Sequence, residues 1–188
     1  MKPILILFTI LLASCVGYHI TSDGGYRVNN PKVFEYNKPQ FTSLSKGPID
    51  TNAIYFTDSF YNKWTNPKWL TNIKRFVRFF NSGQVLFVFC GDSFPNIDKI
   101  NNPNIGTPGY FIVDGTKIKI DKFRDLNGGH TEKYYGRIQP NGDIIFYEQL
   151  PATYSGSFSR LEKSEGSDRF SIWRKIKVDG LKHYKPNW

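Results

Sequence analysis

The chain has little cysteine, little histidine, few acids relative to bases and no long apolar run, and each shortage excludes something. Two cysteines, Cys15 and Cys90, in 188 residues rule out a disulfide framework. Three histidines, His19, His130 and His183, lie far apart in the sequence, and no Cys/His group has the spacing of a zinc site. The leading apolar stretch, residues 4–12, has nine residues, where a spanning helix needs about 20. No segment repeats at a fixed period and no tract is of low complexity, so a solenoid or a disordered array is excluded as well.

What is present begins at the N-terminus. Lys2 supplies a short positive region, Ile4-Leu5-Ile6-Leu7-Phe8-Thr9-Ile10-Leu11-Leu12 an apolar one, and the small residues Ala13 and Ser14 precede Cys15. This order is that of an export leader. Leu11-Leu12-Ala13-Ser14-Cys15 resembles the lipobox of bacterial lipoproteins. That resemblance implies removal of residues 1–14, a diacylglyceryl thioether on Cys15 and acylation of its new amine. Several chains, each adding about 0.8 kcal/mol per buried CH₂, would hold the protein to a membrane permanently. The competing account is an uncleaved N-terminal anchor with an incidental cysteine. Position two after processing is Val16 rather than Asp, which points to the outer membrane. Cys90 then has no partner. It follows Val85-Leu86-Phe87-Val88-Phe89, and its default role is a buried structural thiol.

After residues 1–14, 174 remain, enough for one domain with a core. Phe (16) and Tyr (11) are abundant, and Gly (16) and Pro (11) are frequent, a mixture suited to strands and turns. The net charge is +9. Behind a lipobox that charge suits anionic lipid, an acidic glycan or an envelope protein, not nucleic acid. A solvated lysine-rich surface is the plainer account of the same number.

Residues 16–48 hold glycine and proline without sustained period. They read as a flexible tether following Cys15, with a short strand around Val33 to Tyr36. The folded domain is expected from 49 to 188. Its strand signals are 53–57, 75–80, 84–89, 109–113, 116–120, 133–138, 144–148 and 169–178. Asn81-Ser82-Gly83, Asp114-Gly115 and Pro140-Asn141-Gly142-Asp143 mark hairpin turns, the second fitting a type I′ turn with Asp114 and Gly115 central. Lys117, Lys119 and Asp121 alternate with Ile118 and Ile120, one wet face against one dry. Asn66-Pro67 starts a short helical turn at 67–72, which then gives way to a strand. The expected fold is therefore all-β: a single antiparallel meander forming a small barrel or curled sheet with at most one short helix. With the lipobox, the blocks Ile54-Tyr55-Phe56, Arg78-Phe79-Phe80-Asn81-Ser82-Gly83-Gln84-Val85 and Gly109 through Ile118 resemble the small lipocalin-like lipoproteins of Gram-negative bacteria. That resemblance implies a lipid-anchored barrel in the envelope.

Candidate sites are few. Phe89-Cys90-Gly91-Asp92-Ser93 is similar to the nucleophile block of GDS-type esterases, with Asp179 and His183 as partners. However, three residues separate Asp179 from His183 where those enzymes have two, and their oxyanion blocks have no counterpart. A hydrolase using Ser93 and His183 is thus the alternative, and no catalytic residue is assigned. Asp125, His130 and Glu132 share a segment, 123–133, read as a solvated loop without metal. No cofactor is expected. Trp173 and Trp69 are the candidate ligand contacts. Trp173 stands out because Phe170, Ile172, Ile176 and Val178 would leave it on an open, polar face, where an aromatic ring can stack on a sugar.

Overall fold

The computed structural model describes residues 17–38, 47–62, 70–147, 150–151, 157–158, 165 and 169–188. Cys15 and the leader lie outside them, as does Trp69. Among the described residues eleven strands are formed: β1 (Tyr18–Ile20), β2 (Tyr26–Val28), β3 (Ala53–Asn62), β4 (Leu70–Phe79), β5 (Gln84–Gly91), β6 (Thr107–Asp114), β7 (Lys117–Arg124), β8 (His130–Ile138), β9 (Ile144–Tyr147), β10 (Leu150–Pro151) and β11 (Arg169–Lys177). One short helix, α1 (Ile97–Asn101), follows β5; the Asn96 side chain caps it by accepting from Lys99 N.

The fold is all-β, with an eight-stranded closed antiparallel barrel at its centre. Neighbours run in the order β8-β7-β6-β5-β4-β3-β11-β9, and β9 returns to β8 through Gly136↔Phe146 and Ile138↔Ile144. Closure removes the open edges that a meander would expose. Eight strands enclose a space that side chains just fill. Here Tyr55, Phe79, Phe87, Phe111, Phe146 and Trp173 form its aromatic part and Val and Ile side chains the rest. Tyr55 and Phe111 meet the Phe79 ring edge-on at 5.1 and 4.8 Å between centroids.

The barrel is also buried on much of its outside. On β3–β5, Ile54, Phe56, Phe76, Leu86, Val88 and Cys90 are covered by α1 and by the C-terminal tail through Ile100, Leu181 and Tyr184. Burial raises the Cys90 thiol's pKa, as expected for a structural cysteine. On β6–β7, Tyr110, Ile112 and Phe123 lie under Val28, Phe34 and Tyr36. Arg78, 1% exposed, staples the tail: Nη1 donates to Ile100 O (3.1 Å) and Asn101 Oδ1 (3.2 Å), Nη2 to Lys182 O, and the guanidinium faces the Phe80 and Tyr184 rings.

Several sequence expectations are corrected here. Residues 17–38 are not a free tether. They form the β1–β2 hairpin and two 3₁₀ turns, Pro31–Val33 and Glu35–Asn37, in place of the strand expected at 33–36, and Phe34 is fully buried. β4 begins at Leu70, so the helical turn read at 67–72 does not extend over 70–72. Among the described residues the α-helix that forms is α1. Asp114 pairs with Lys117, which makes Gly115-Thr116 the turn's centre instead of Asp114-Gly115; Gly115 takes a φ of 59°. The segment read as one loop at 123–133 is mostly strand, since β7 runs to Arg124 and β8 starts at His130.

The wet face of β7 is dry. Asp121 is fully buried where Glu35 meets it, and Lys119 is 6% exposed, its ammonium 5.6 Å from the Tyr135 ring centre and 4.2 Å from that of Phe158. Glu35 N donates to Asp121 Oδ2 (2.5 Å), and Lys133 Nζ sits 2.9 Å from Asp121 Oδ2 and 3.0 Å from Glu35 Oε2. A charged stripe thus meets complementary charge from another part of the chain instead of water.

Candidate functional site at the barrel mouth

The strands end at two rims. At one, which we call the mouth, β3, β5 and β7 finish and β4, β6 and β8 begin. Alternation decides what faces inward there. On β7 the inward set starts as Ile118 and Ile120 and continues as Lys122 and Arg124. On β8 it runs from Ile138 through Tyr134 to Glu132. Arg75 arrives from β4 and Thr107 from β6. Arg75, Thr107, Lys122, Arg124, Asp125, Glu132 and Tyr134 line a cavity of about 230 Å³.

Register sets its electrostatics. Glu132 stands directly opposite Lys122 in the β7–β8 ladder. Its carboxylate is nevertheless taken by Arg124, from the diagonal position. Asp125 is bound to the N-terminal hairpin: Tyr18 donates its hydroxyl to the Asp125 backbone carbonyl (3.4 Å), and the Asp125 carboxylate raises the pKa of the nearby Tyr26 phenol. Lys122 and Arg75 are left with no ion pair among the described residues. The Lys122 ammonium instead lies 5.1 Å from the Phe87 ring centre and 5.6 Å from that of Tyr134. Burial first, then the nearby Arg75 and Arg124, push its pKa down to about 8 against the opposite pull of Glu132 and Asp125. Burial likewise raises the Tyr134 phenol. The site can attract and hold an anion: an anion entering would pair Lys122 and Arg75 and restore the charge that burial disfavours.

A second groove of about 240 Å³ lies at the opposite rim, lined by Thr51, Asn81, Ser82, His183, Tyr184 and Lys185 around the Arg78 staple.

The candidates read from the sequence are scattered. Ser93 is exposed in the segment just after β5, at the mouth. His183 lines the far groove beside Asn81 and Ser82, in the turn before β5. The eight residues of β5 separate them, a span of about 24 Å at ~3.4 Å per residue. The structure does not bring them together. Among the described residues no three of His, Cys, Asp and Glu are grouped to hold a metal. Glu132 is engaged by Arg124, and His130 Nδ1 is hydrogen-bonded to the Leu126 carbonyl (3.1 Å).

Trp173 is not on an open face. It is 4% exposed inside the barrel, edge-on to Phe87 and Phe146, and its Nε1 donates to Ser171 Oγ (2.8 Å). The alternation in β11 holds, but its faces are the reverse of the expectation: Trp173 is on the inner side. Ile176 and Val178 point outward, where the tail covers them.

Sequence reasoning missed the mouth itself. The available signal was phase: Lys122 and Arg124 continue the Ile118–Ile120 side of β7, so charge appears in step with the dry face. Compared with known proteins, the chain matches no family model, and neither a curated protein nor a solved structure matches it.

Proposed function

We propose that the chain is a non-catalytic binding protein of the bacterial envelope, anchored to the outer membrane through lipid on Cys15, which takes an anionic group at the mouth of its barrel. The carrying observation is the pair Lys122 and Arg75, two cations in one cavity with no ion pair among the described residues. Exposed surface lysines would be satisfied by water; Lys122 is half-buried against two rings, so an anion gains more there than at an ordinary surface site. The lipobox supports the anchor. The closed barrel supports grouping with the small lipocalin-like lipoproteins. Its centre is filled by side chains and its cavity is polar, which favours an anionic headgroup, glycan or protein carboxylate over an acyl chain.

Two measurements test this reading. The anchor is tested by growing cells on an alkyne palmitate. Wild type should take up label and Cys15→Ser should not; equal labelling of both would refute lipidation at Cys15.

The cavity is tested with sodium sulfate, whose charge is constant across the relevant pH range, titrated calorimetrically against a sodium chloride control. Lys122 is charged below about 8 and neutral above it in the free protein. Sulfate binding should therefore weaken as pH rises through about 8, and Lys122→Met should remove both the binding and its pH step. Equal sulfate binding by wild type and Lys122→Met would sink the site.

A further inference from the structure

We infer that the mouth of the barrel seats directly on the lipid bilayer, with Arg75 and Lys122 at lipid phosphates. This rests on the membrane anchor proposed above and names the anion as the headgroup of an anionic phospholipid.

Three independent observations converge on one end of the barrel. The first is where the chain enters. Asn29 N donates to Gly17 O (2.9 Å), a methyl group at Gly17 would stand 3.6 Å from the Gly128 carbonyl, and Tyr18 reaches Asp125. Gly17 is therefore held beside the 125–129 loop of the mouth. An extended chain gains at most about 3.6 Å per residue, so Cys15 lies within about 7 Å of Gly17. Because residues 17–38 are packed on the barrel, no tether is left to hold the domain away from its anchor. An uncleaved apolar segment at 4–12 would end within about 18 Å of Gly17 by the same reckoning.

The second is the distribution of apolar surface. Six large hydrophobic side chains are 37–60% exposed among the described residues. Five belong to the mouth. Phe60 is near the end of β3, Phe89 near the end of β5, Phe94 just beyond it and Leu126 in the β7–β8 loop. Ile20 adjoins the hairpin turn that bonds Asn104 and Gly106, just before β6. Only Val33 lies elsewhere, on the flank. The far rim contributes none of the six. A clustered apolar rim on an otherwise polar surface marks an interaction face.

The third is charge. The cavity inside that rim holds Arg75 and Lys122 with no ion pair among the described residues, ringed by side chains suited to the headgroup–acyl boundary. Apolar rim, cavity cations and anchor share one end, which is the arrangement an anionic bilayer complements.

The full-length lipidated protein, reconstituted into phosphatidylcholine vesicles containing phosphatidylglycerol, provides the test. Bimane is placed at Leu126→Cys or Phe94→Cys on the mouth and at Asn141→Cys on the far rim; all three positions are exposed, so folding is undisturbed. Wild type is the blank, since Cys90 is buried and a lipidated Cys15 has no thiol. Phosphatidylcholine bearing a headgroup nitroxide is the quencher. We expect quenching at Leu126 and Phe94 severalfold above that at Asn141. Equal quenching, or more at Asn141, with protein that stays on the vesicles through an alkaline carbonate wash, would overturn the orientation and leave the anchor standing. A wild type that takes up bimane at Cys15 and washes off would overturn the anchor, and the orientation with it.

Discussion

Lys133→Met is expected to destabilise the protein by about 3–5 kcal/mol, the cost of leaving a buried charge without its partner. Lys133 is 2% exposed and is the cation shared by Asp121 and Glu35. Asp121 is fully buried and its Oδ1 already has no hydrogen-bond partner. Burial raises the Asp121 carboxyl pKa, and Lys133 is the largest influence pulling it back down. Without Lys133 it rises further. The loss of stability should then be full above that further-raised value and shrink as pH falls through it toward the wild-type folded value, itself above that of a free carboxyl. Adding Asp121→Leu should recover part of the loss, because the orphaned charge is gone while Glu35 N still lacks its acceptor. Urea unfolding of the three variants at neutral and acidic pH is the measurement. A loss below about 1 kcal/mol, the range of exposed pairs, would show that residues 31–38 do not cover this network. The effect bears on function as well, since the same network helps keep residues 17–38 against the barrel and the mouth near its anchor.

Trp173→Ala should also cost about 3–5 kcal/mol, the range for truncating a buried aromatic residue. The ring fills the barrel interior between Phe87 and Phe146, at 6.0 Å from each and nearly perpendicular to both. Trp173→Phe should cost less: it loses the Nε1 bond to Ser171 and some volume but keeps an edge-to-face ring. A surface platform for a sugar would respond differently, because exposed positions away from special contacts change stability by about 0.5 kcal/mol or less. Thermal or urea unfolding decides. A change within about 0.5 kcal/mol for Trp173→Ala would return the indole to an open face and revive it as a ligand contact.

Local interactions leave a mark in the sequence and long-range ones do not. Hairpins were legible because they are local. Asn81-Ser82-Gly83 joins β4 to β5, and Pro140-Asn141-Gly142-Asp143 joins β8 to β9, each between runs of alternating or β-branched residues. The Gly115 turn was placed one residue early, since either dipeptide satisfies the sequence signal and only pairing selects between them. α1 was missed. It is five residues long and depends on the Asn96 cap and on Ile100 packing over Leu86 and Val88. Conversely, Asn66-Pro67 carried a good helix start, and from Leu70 the ladder to β3 prevailed over it.

By itself the sequence determined the strand count and the hairpin connectivity of most of the barrel. It also carried the motif at Cys15, because these depend on residue type, period and near neighbours. Tertiary structure decided which polar faces meet water. A lysine–aspartate stripe on a strand has the same pattern whether solvent or a distant segment covers it; Glu35 and Asp121 are 86 residues apart. Closure of β9 onto β8 and the registers around the ring decided that Trp173 points inward, and that Arg75, Lys122, Arg124 and Glu132, from three strands, share one mouth. No local period encodes that convergence. It arises when eight strands close, and the side chains at their ends are brought together by the shape of the barrel.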